Sequence, residues 1–416
     1  MTTLDNREDA FERHFEASSH GEFFELLDEL EKDTKWDRVP LKEISFVPLS
    51  EVREEELSLG AGKAYEDSKK GFLPIVACFA DGRKYLVREY LLKFIKDHAE
   101  DNGKIVSKIF NAKNWQLFCA HINCGWEYRH KEIIYLLRGE KISSWMTDFN
   151  SNWSQLKQFE FFEEKMGERF PGFSFSAASI GHYFSSASYR LDDSIESHGL
   201  AGALGVTSAV MGAYIDAWRA CGLEPEELKS AVPVCRFLTG ESGLCAIEAI
   251  PVIQTKNYGE IVMGESLKVV HRGSDEAVWG QFETFPDNIA VLFQKGLAGL
   301  ELLCKLRIMN PYNAVTRILK MFRATMPSET MKACAETASF YWAPSDKDAT
   351  CKAVEIYHLV NEFVKEGNEK RKNPLVAFRN VELMGRLLHA NWKDFDKPTA
   401  LKVGGKAEEI DLPCEG

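Results

Sequence analysis

The chain has 416 residues, a formal net charge of −12 at pH 7 and 45% hydrophobic residues, a composition ordinary for a folded, soluble protein of one large or two to three smaller domains. No stretch approaches the ~20 apolar residues of a membrane span, and the acidic start MTTLDNREDAFERHF is unlike a signal or transit peptide. We therefore expect a cytoplasmic protein without membrane contact, and ten scattered cysteines with no CxxC pair predict no disulfide framework.

Residues 1–62 are predicted to form an acidic helical arm and a connector. Residues 1–60 hold 17 acidic and 7 basic residues, so the other 356 residues carry a net charge of only −2. The charge predicts a solvated, partly mobile arm, and the alternative is an arm that competes for a basic surface elsewhere on the chain. Helical spacing predicts an apolar face that docks on the body or on a partner, made of Phe23, Phe24, Leu26, Leu27 and Leu30.

Residues 63–231 are predicted to be a mixed α+β region. Two apolar runs flank Asp81-Gly82, which predicts a tight hairpin, and a helix follows from Arg88. The further elements predicted here are a strand at 113–122, a second hairpin at 132–147 and helices at 153–170 and 208–221.

The last 185 residues change from strands to helices. Short β-rich runs broken by Gly, Asn, Ser and Asp predict an antiparallel meander over 232–285. Prolines then punctuate a predicted helical region at 286–392, and 393–416 is predicted to be a loose tail. The fold class predicted for the whole chain is α+β, and the open edges of the meander favour self-association.

The order of these motifs resembles the uncharacterised phage/plasmid-like protein family, common in bacteriophage and plasmid genomes. The resemblance covers about 70–392 and depends on ADGRKYLVREYLLKFIKDHA, the hairpin and helix around IIYLLRGEKISSWMTDF, LTGESGLCAIEAIPVI, VVHRG and KAVEIYHLVNEFV. The family's Ser-Asp-Arg-Tyr run is replaced here by Met146-Thr147-Asp148-Phe149. The resemblance implies a mobile-element origin, a place in the host cytoplasm and a link to nucleic-acid metabolism or host takeover; it brings no catalytic residues.

The candidates for catalysis and metal binding are weak. A strand at 113–122 would place Cys119 and His121 on one face near Cys124, but no second ligand pair follows. Neither a G-x-S-x-G elbow nor a phosphate-binding glycine motif occurs, and the glycines at 199–205 favour a loop. We predict no catalytic residue, no metal and no cofactor from these remaining candidates: Ser179, His182, Ser185, Asp192, Asp193, Glu196 and His198.

The strongest functional signal is a local excess of positive charge. From Lys295 to Lys332 there are seven basic residues and only two acidic ones, Glu301 and Glu329. Helical spacing places Arg317, Lys320 and Arg323 on an exposed stripe opposite a predicted core-facing side, Val315, Ile318, Leu319 and Phe322. Such a stripe, together with Lys305 and Arg307, can follow a phosphate backbone, and the alternative is pairing with acidic residues of this chain or of a second copy.

The hairpin at 132–147 offers similar chemistry. It carries Arg138 and Lys141 near Trp145, which predicts cations beside an aromatic ring on which a base could stack.

Three functions remain open from the sequence. The first is a non-enzymatic nucleic-acid-binding protein, acting on single strands in recombination or annealing. The second is a protein–protein or host-takeover factor that docks through its acidic N-terminus, and the third is an enzyme with a dispersed site.

Overall fold

A computed structural model describes residues 15–32, 34–57, 72–99, 104–129, 131–138, 141–147, 154–181, 184–192, 231–240, 246–255, 259–269, 274–346, 348–370 and 374–399. The strands are β1 (Phe15–Ala17), β2 (Thr34–Pro40), β3 (Ile44–Pro48), β4 (Phe72–Phe79), β5 (Lys84–Arg88), β6 (Glu132–Arg138), β7 (Lys141–Thr147), β8 (Ser174–Ile180), β9 (Ser185–Arg190), β10 (Val232–Thr239), β11 (Ile247–Thr255), β12 (Gly259–Val262), β13 (Leu267–Val269), β14 (Arg307–Ile308) and β15 (Cys351–Lys352). The helices are α1 (His20–Lys32), α2 (Leu92–Asp97), α3 (Lys104–Asn111), α4 (Trp115–Glu127), α5 (Gln155–Arg169), α6 (Asp275–Glu283), α7 (Phe285–Lys305), α8 (Pro311–Met321), α9 (Ser328–Tyr341), α10 (Ala353–Glu369) and α11 (Pro374–Leu388). The predicted α+β class is confirmed.

Two separate sheets form the framework. The first has the order β2-β6-β7-β5-β4-β3, and its pairs are antiparallel except for β5 with β7. The second has the order β1-β8-β9-β10-β11-β12, and β13 also pairs with β11. The predicted Asp-Gly turn joins β4 to β5, with Gly82 at φ +92°, a backbone region that favours glycine.

Helix α4 replaces the strand expected at 113–122. Asn114 caps its first turn by accepting the N–H of Leu117 at 3.1 Å, and Phe118, Ile122 and Trp126 are buried against the first sheet. These apolar residues recur every four positions, a period that becomes visible only when the run is followed past 122.

The N-terminal region is part of the fold in residues 15–57 and is not the mobile arm that its charge predicted. β1 extends the second sheet, while β2 and β3 are in the first. The apolar face of α1 is buried against α5 and β8, where the rings of Phe23 and Phe159 meet edge to face with centroids 4.8 Å apart. Of the two docking sites predicted for this face, the body or a partner, the structure shows the body.

The C-terminal region is helical, as predicted, with two boundary corrections. The strands of the predicted meander end at Val269, and 275–283 form helix α6. The predicted loose tail is folded in 393–399: it continues from the buried Trp392, whose indole N–H donates to the Leu387 carbonyl at 3.1 Å. Residues 400–416 lie outside the described part of the chain.

Candidate nucleic-acid interface on a helical hairpin

Helices α8 and α9 pack together and are joined by the short connection at 322–327, which makes them an antiparallel hairpin. Helix α8 begins at Pro311, a favoured residue in a first helical turn. The carboxylate of Asp396 accepts the N–H groups of Met309 at 3.0 Å and Asn310 at 2.7 Å, directly before the helix. The negative charge at this end also suits the positive end of the helix dipole.

The inner side of α8 is buried as the sequence predicted. The four predicted core-facing side chains have relative exposures of 0–1%: Val315, Ile318, Leu319 and Phe322. Helix α8 packs on α9 and α10 through this side. The opposite side therefore faces outward, with Arg317 and Lys320 half-buried and Arg323 exposed just after the helix ends. We call these three residues the basic face.

Two residues of the basic face, Arg317 and Lys320, form no ion pair within the described part of the chain. Arg317 donates through Nη2 to the carbonyl and the hydroxyl of Thr399, at 2.9 and 3.0 Å, so its partners are neutral. Lys320 forms no ion pair with any described residue. No acidic residue occurs between Glu301 and Glu329 in the sequence.

The two other predicted cations lie before α8 and differ from each other. Lys305 pairs with Glu301 one turn earlier on α7, which offsets its charge. Arg307 donates from Nε and Nη2 to the hydroxyl of Thr350, at 3.2 and 2.9 Å, and is exposed. Of these two, Arg307 is the cation without a carboxylate partner among the described residues.

Two exposed aromatic side chains lie at the far end of α9, and our sequence reasoning missed them. Phe340 is 83% exposed and Tyr341 is 63% exposed, with ring centroids 5.6 Å apart, while Trp342 packs partly against the core. Because the hairpin is antiparallel, they lie at the end where α8 begins. The run of three consecutive aromatic residues in the sequence could have predicted an exposed ring. Successive residues on a helix are 100° apart, so three in a row cannot all face the core.

The strand hairpin β6–β7 does not have the surface predicted for it. Trp145 is only 2% exposed and packs on Phe46 and Trp126, at centroid distances of 5.8 and 5.5 Å. Lys141 lies on the other side of the sheet, with Nζ 5.4 Å from the ring centre of Phe72.

The cause of this separation is a register shift between β6 and β7. Leu136 pairs with Ser144 and Leu137 with Ile142, so Ser143 is an extra residue in β7. A bulge of this kind breaks the alternation of side chains that would otherwise have placed Lys141 and Trp145 on one face. The predicted stacking role of Trp145 is therefore wrong, and Arg138 and Lys141 have no exposed aromatic partner in β7.

The weak metal and nucleophile candidates do not assemble in the part of the chain that the structure describes. Cys119 is buried in α4 and Cys124 is exposed, and no group of three His, Cys, Asp or Glu residues there could hold a metal ion. Ser185 is buried, whereas the Ser179 hydroxyl meets that of Ser186 at 3.0 Å. His182, Asp193, Glu196, His198, the glycines at 199–205 and the helix expected at 208–221 lie outside the described residues.

No protein-family model matches this chain, and neither do curated proteins or solved structures. The resemblance to the phage/plasmid-like family therefore stays a prediction. Among the described helices, none has both the length and the apolar character needed to cross a membrane.

Proposed function

We propose that the α8–α9 hairpin binds the phosphate backbone of nucleic acid, and that its preferred ligand is single-stranded. The observation that carries this proposal is the basic face: Arg317 and Lys320 on the outer side of a helix whose inner side is fully buried, and Arg323 directly after it, in a stretch of sequence without acidic residues. Ion pairs with phosphates supply most of the affinity of such proteins.

The exposed aromatic pair supports a single-stranded ligand. A duplex hides the faces of its bases, whereas unpaired bases stack on aromatic side chains with about 1–3 kcal/mol per base. Phe340 and Tyr341 provide such rings on the same hairpin as the cations. A protein with this surface suits single-strand binding or annealing in a phage or plasmid, in keeping with the origin that the family resemblance implies.

The protein–protein alternative proposed docking through the acidic N-terminus. The apolar face of α1, one part of that element, is buried by the protein's own body, whereas residues 1–14 lie outside the described part of the chain, so this alternative stays a prediction. Self-association and an enzyme with a dispersed site stay predictions.

The proposal is tested by the salt dependence of binding to a fluorescent oligonucleotide of about 20 nucleotides, longer than the ~4–16 nucleotides one single-strand-binding module covers. Each phosphate contact contributes about 0.7 to the slope of log K against log salt concentration for single strands. The double variant Arg317→Glu, Arg323→Glu should lower this slope by about 1.4 and weaken binding at least tenfold.

The matched control makes the same charge change on exposed lysines outside the hairpin, Lys42→Glu and Lys93→Glu. We expect this control to keep the slope of the wild-type chain. Equal losses in the two double variants would show a general effect of net charge, and an unchanged slope after reversal of the basic face would refute the proposal.

A further inference from the structure

One residue of the basic face, Arg317, is already bound by the C-terminal segment of the same chain, which is described up to Thr399. This segment is anchored by the buried Trp392 and by Asp396, which caps the start of α8. From there it continues along the outside of the helix and reaches Arg317.

The contacts show the direction of the segment. Asp396 contacts Asn310, the carbonyl of Lys397 accepts the Asn313 side-chain N–H at 2.9 Å, and Thr399 accepts from Arg317. Three residues of extended chain reach about 10 Å, and the seven helical residues from 310 to 317 rise about 10.5 Å. The segment therefore runs parallel to α8, towards Lys320 and Arg323.

Thr399 takes hydrogen bonds that a phosphate would need. Both acceptors of the residue, its carbonyl and its hydroxyl, bind Nη2 of Arg317. A guanidinium binds a phosphate through paired N–H groups, so the Arg317–Thr399 contact and a bidentate phosphate contact compete for the same donors.

The sequence beyond Thr399 has the charge to compete as well. Residues 400–416 contain two lysines and four acidic residues: Glu408, Glu409, Asp411 and Glu415. Nine residues of chain from Thr399 to Glu408 can span up to about 30 Å, and the rise of α8 is only about 16 Å. The chain between Thr399 and Glu408 is therefore long enough for the acidic residues to reach Lys320 and Arg323.

We propose that the contact of Thr399 with Arg317 competes with nucleic acid for the basic face, and that the negative charge of the sequence beyond Thr399 adds to this competition. This inference rests on the proposed function of the basic face and adds its regulation. A tethered competitor acts at an effective concentration in the millimolar range, so even a weak contact lowers the apparent affinity for an external ligand.

The first test replaces 398–416 with a Gly/Ser segment of equal length. Asp396 and its cap on α8 remain, and equal length keeps the terminal carboxylate as many residues from position 399 as in the native chain. We expect oligonucleotide affinity to rise about tenfold, and neutralising only the four acidic residues to give part of that gain. When Arg317→Ala is made in both the native and the Gly/Ser-replaced protein, the difference in their oligonucleotide affinities should shrink. The reason is that the side chain for which Thr399 and the phosphate compete has been removed.

The second test needs no nucleic acid. A fluorescent peptide of residues 396–416 is added to the Gly/Ser-replaced chain, and we expect saturable binding that weakens with salt and is lost with Arg317→Glu, Arg323→Glu. Peptide binding without oligonucleotide binding would retain the contact of the C-terminal segment and refute the proposed function. Equal oligonucleotide affinity of the native and replaced chains, with no peptide binding, would overturn the inference.

Discussion

The two hairpins of this protein carry similar side chains and expose them differently. β6–β7 has two cations and a tryptophan, and α8–α9 has cations and an aromatic pair. In the strand hairpin Trp145 is buried beside the first sheet, whereas in the helical hairpin Phe340 and Tyr341 are open to solvent. The same residue types therefore serve packing in one place and are available for binding in the other.

The difference follows from how each element is covered. β7 lies inside a sheet, between β6 and β5, and side chains from both of its faces are buried. A helix on the outside of a bundle buries one side only, so its period divides core residues from surface residues. Residue types identify candidate binding residues, but only those that the rest of the protein leaves exposed can contact a ligand.

The largest expected effect is a difference in protein stability between an alanine variant of the strand hairpin and one of the helical hairpin. Trp145→Ala should reduce the free energy of unfolding by about 3–5 kcal/mol, because it leaves a cavity against Phe46 and Trp126. Tyr341→Ala, at an exposed ring, should change it by no more than about 0.5 kcal/mol. Urea unfolding of both variants measures this, and a Trp145 variant as stable as the wild-type chain would break the comparison.

The next largest expected effect is a pH dependence of stability that comes from His358, a buried histidine of the helical region. Burial lowers the pKa of His358, on α10, to about 4. A histidine ordinarily titrates near 6.5, so the unfolded chain binds this proton more readily than the folded chain. The stabilising contribution is complete above pH 6.5 and is lost as the pH falls towards 4, by about 3 kcal/mol in total.

This prediction is checked by urea unfolding at several pH values between 7 and 4. His358→Gln has no such proton to bind and should show a flatter dependence of stability on pH over that range. Arg317→Ala, on the basic face, should retain the wild-type dependence. An identical slope in the His358 variant would assign the acid sensitivity to other groups.

Local periodicity in the sequence predicted secondary structure and buried faces better than it predicted which side chains are exposed for binding. The apolar spacing of 315–322 predicted α8 and its buried side, because one helix turn repeats within the window. The run at 113–122 was too short to separate a helix from a strand. The stacking role of Trp145 failed because its face of β7 is covered by the core. An extra residue in β7 also places Lys141 on the opposite face, and nothing in the local sequence marks that residue.

The folded state of residues 393–399 could not be predicted either. The carboxylate of Asp396 bonds backbone groups of residues 86 and 87 positions earlier, and backbone N–H groups leave no sequence signal. The three consecutive aromatic residues 340–342 indicated in the sequence that at least one ring is exposed. Which of them is exposed depends on the neighbours that the fold places around each ring.

The central claim is that nucleic acid meets the helical hairpin, and photo-cross-linking tests it most directly. A single-stranded oligonucleotide is cross-linked to the full chain, and the modified peptides are identified by mass spectrometry. We predict adducts at Phe340 and Tyr341, with few at 132–147 and fewer overall in the Arg317→Glu, Arg323→Glu variant. Adducts concentrated at 132–147, or spread evenly over the chain and insensitive to that variant, would contradict the account.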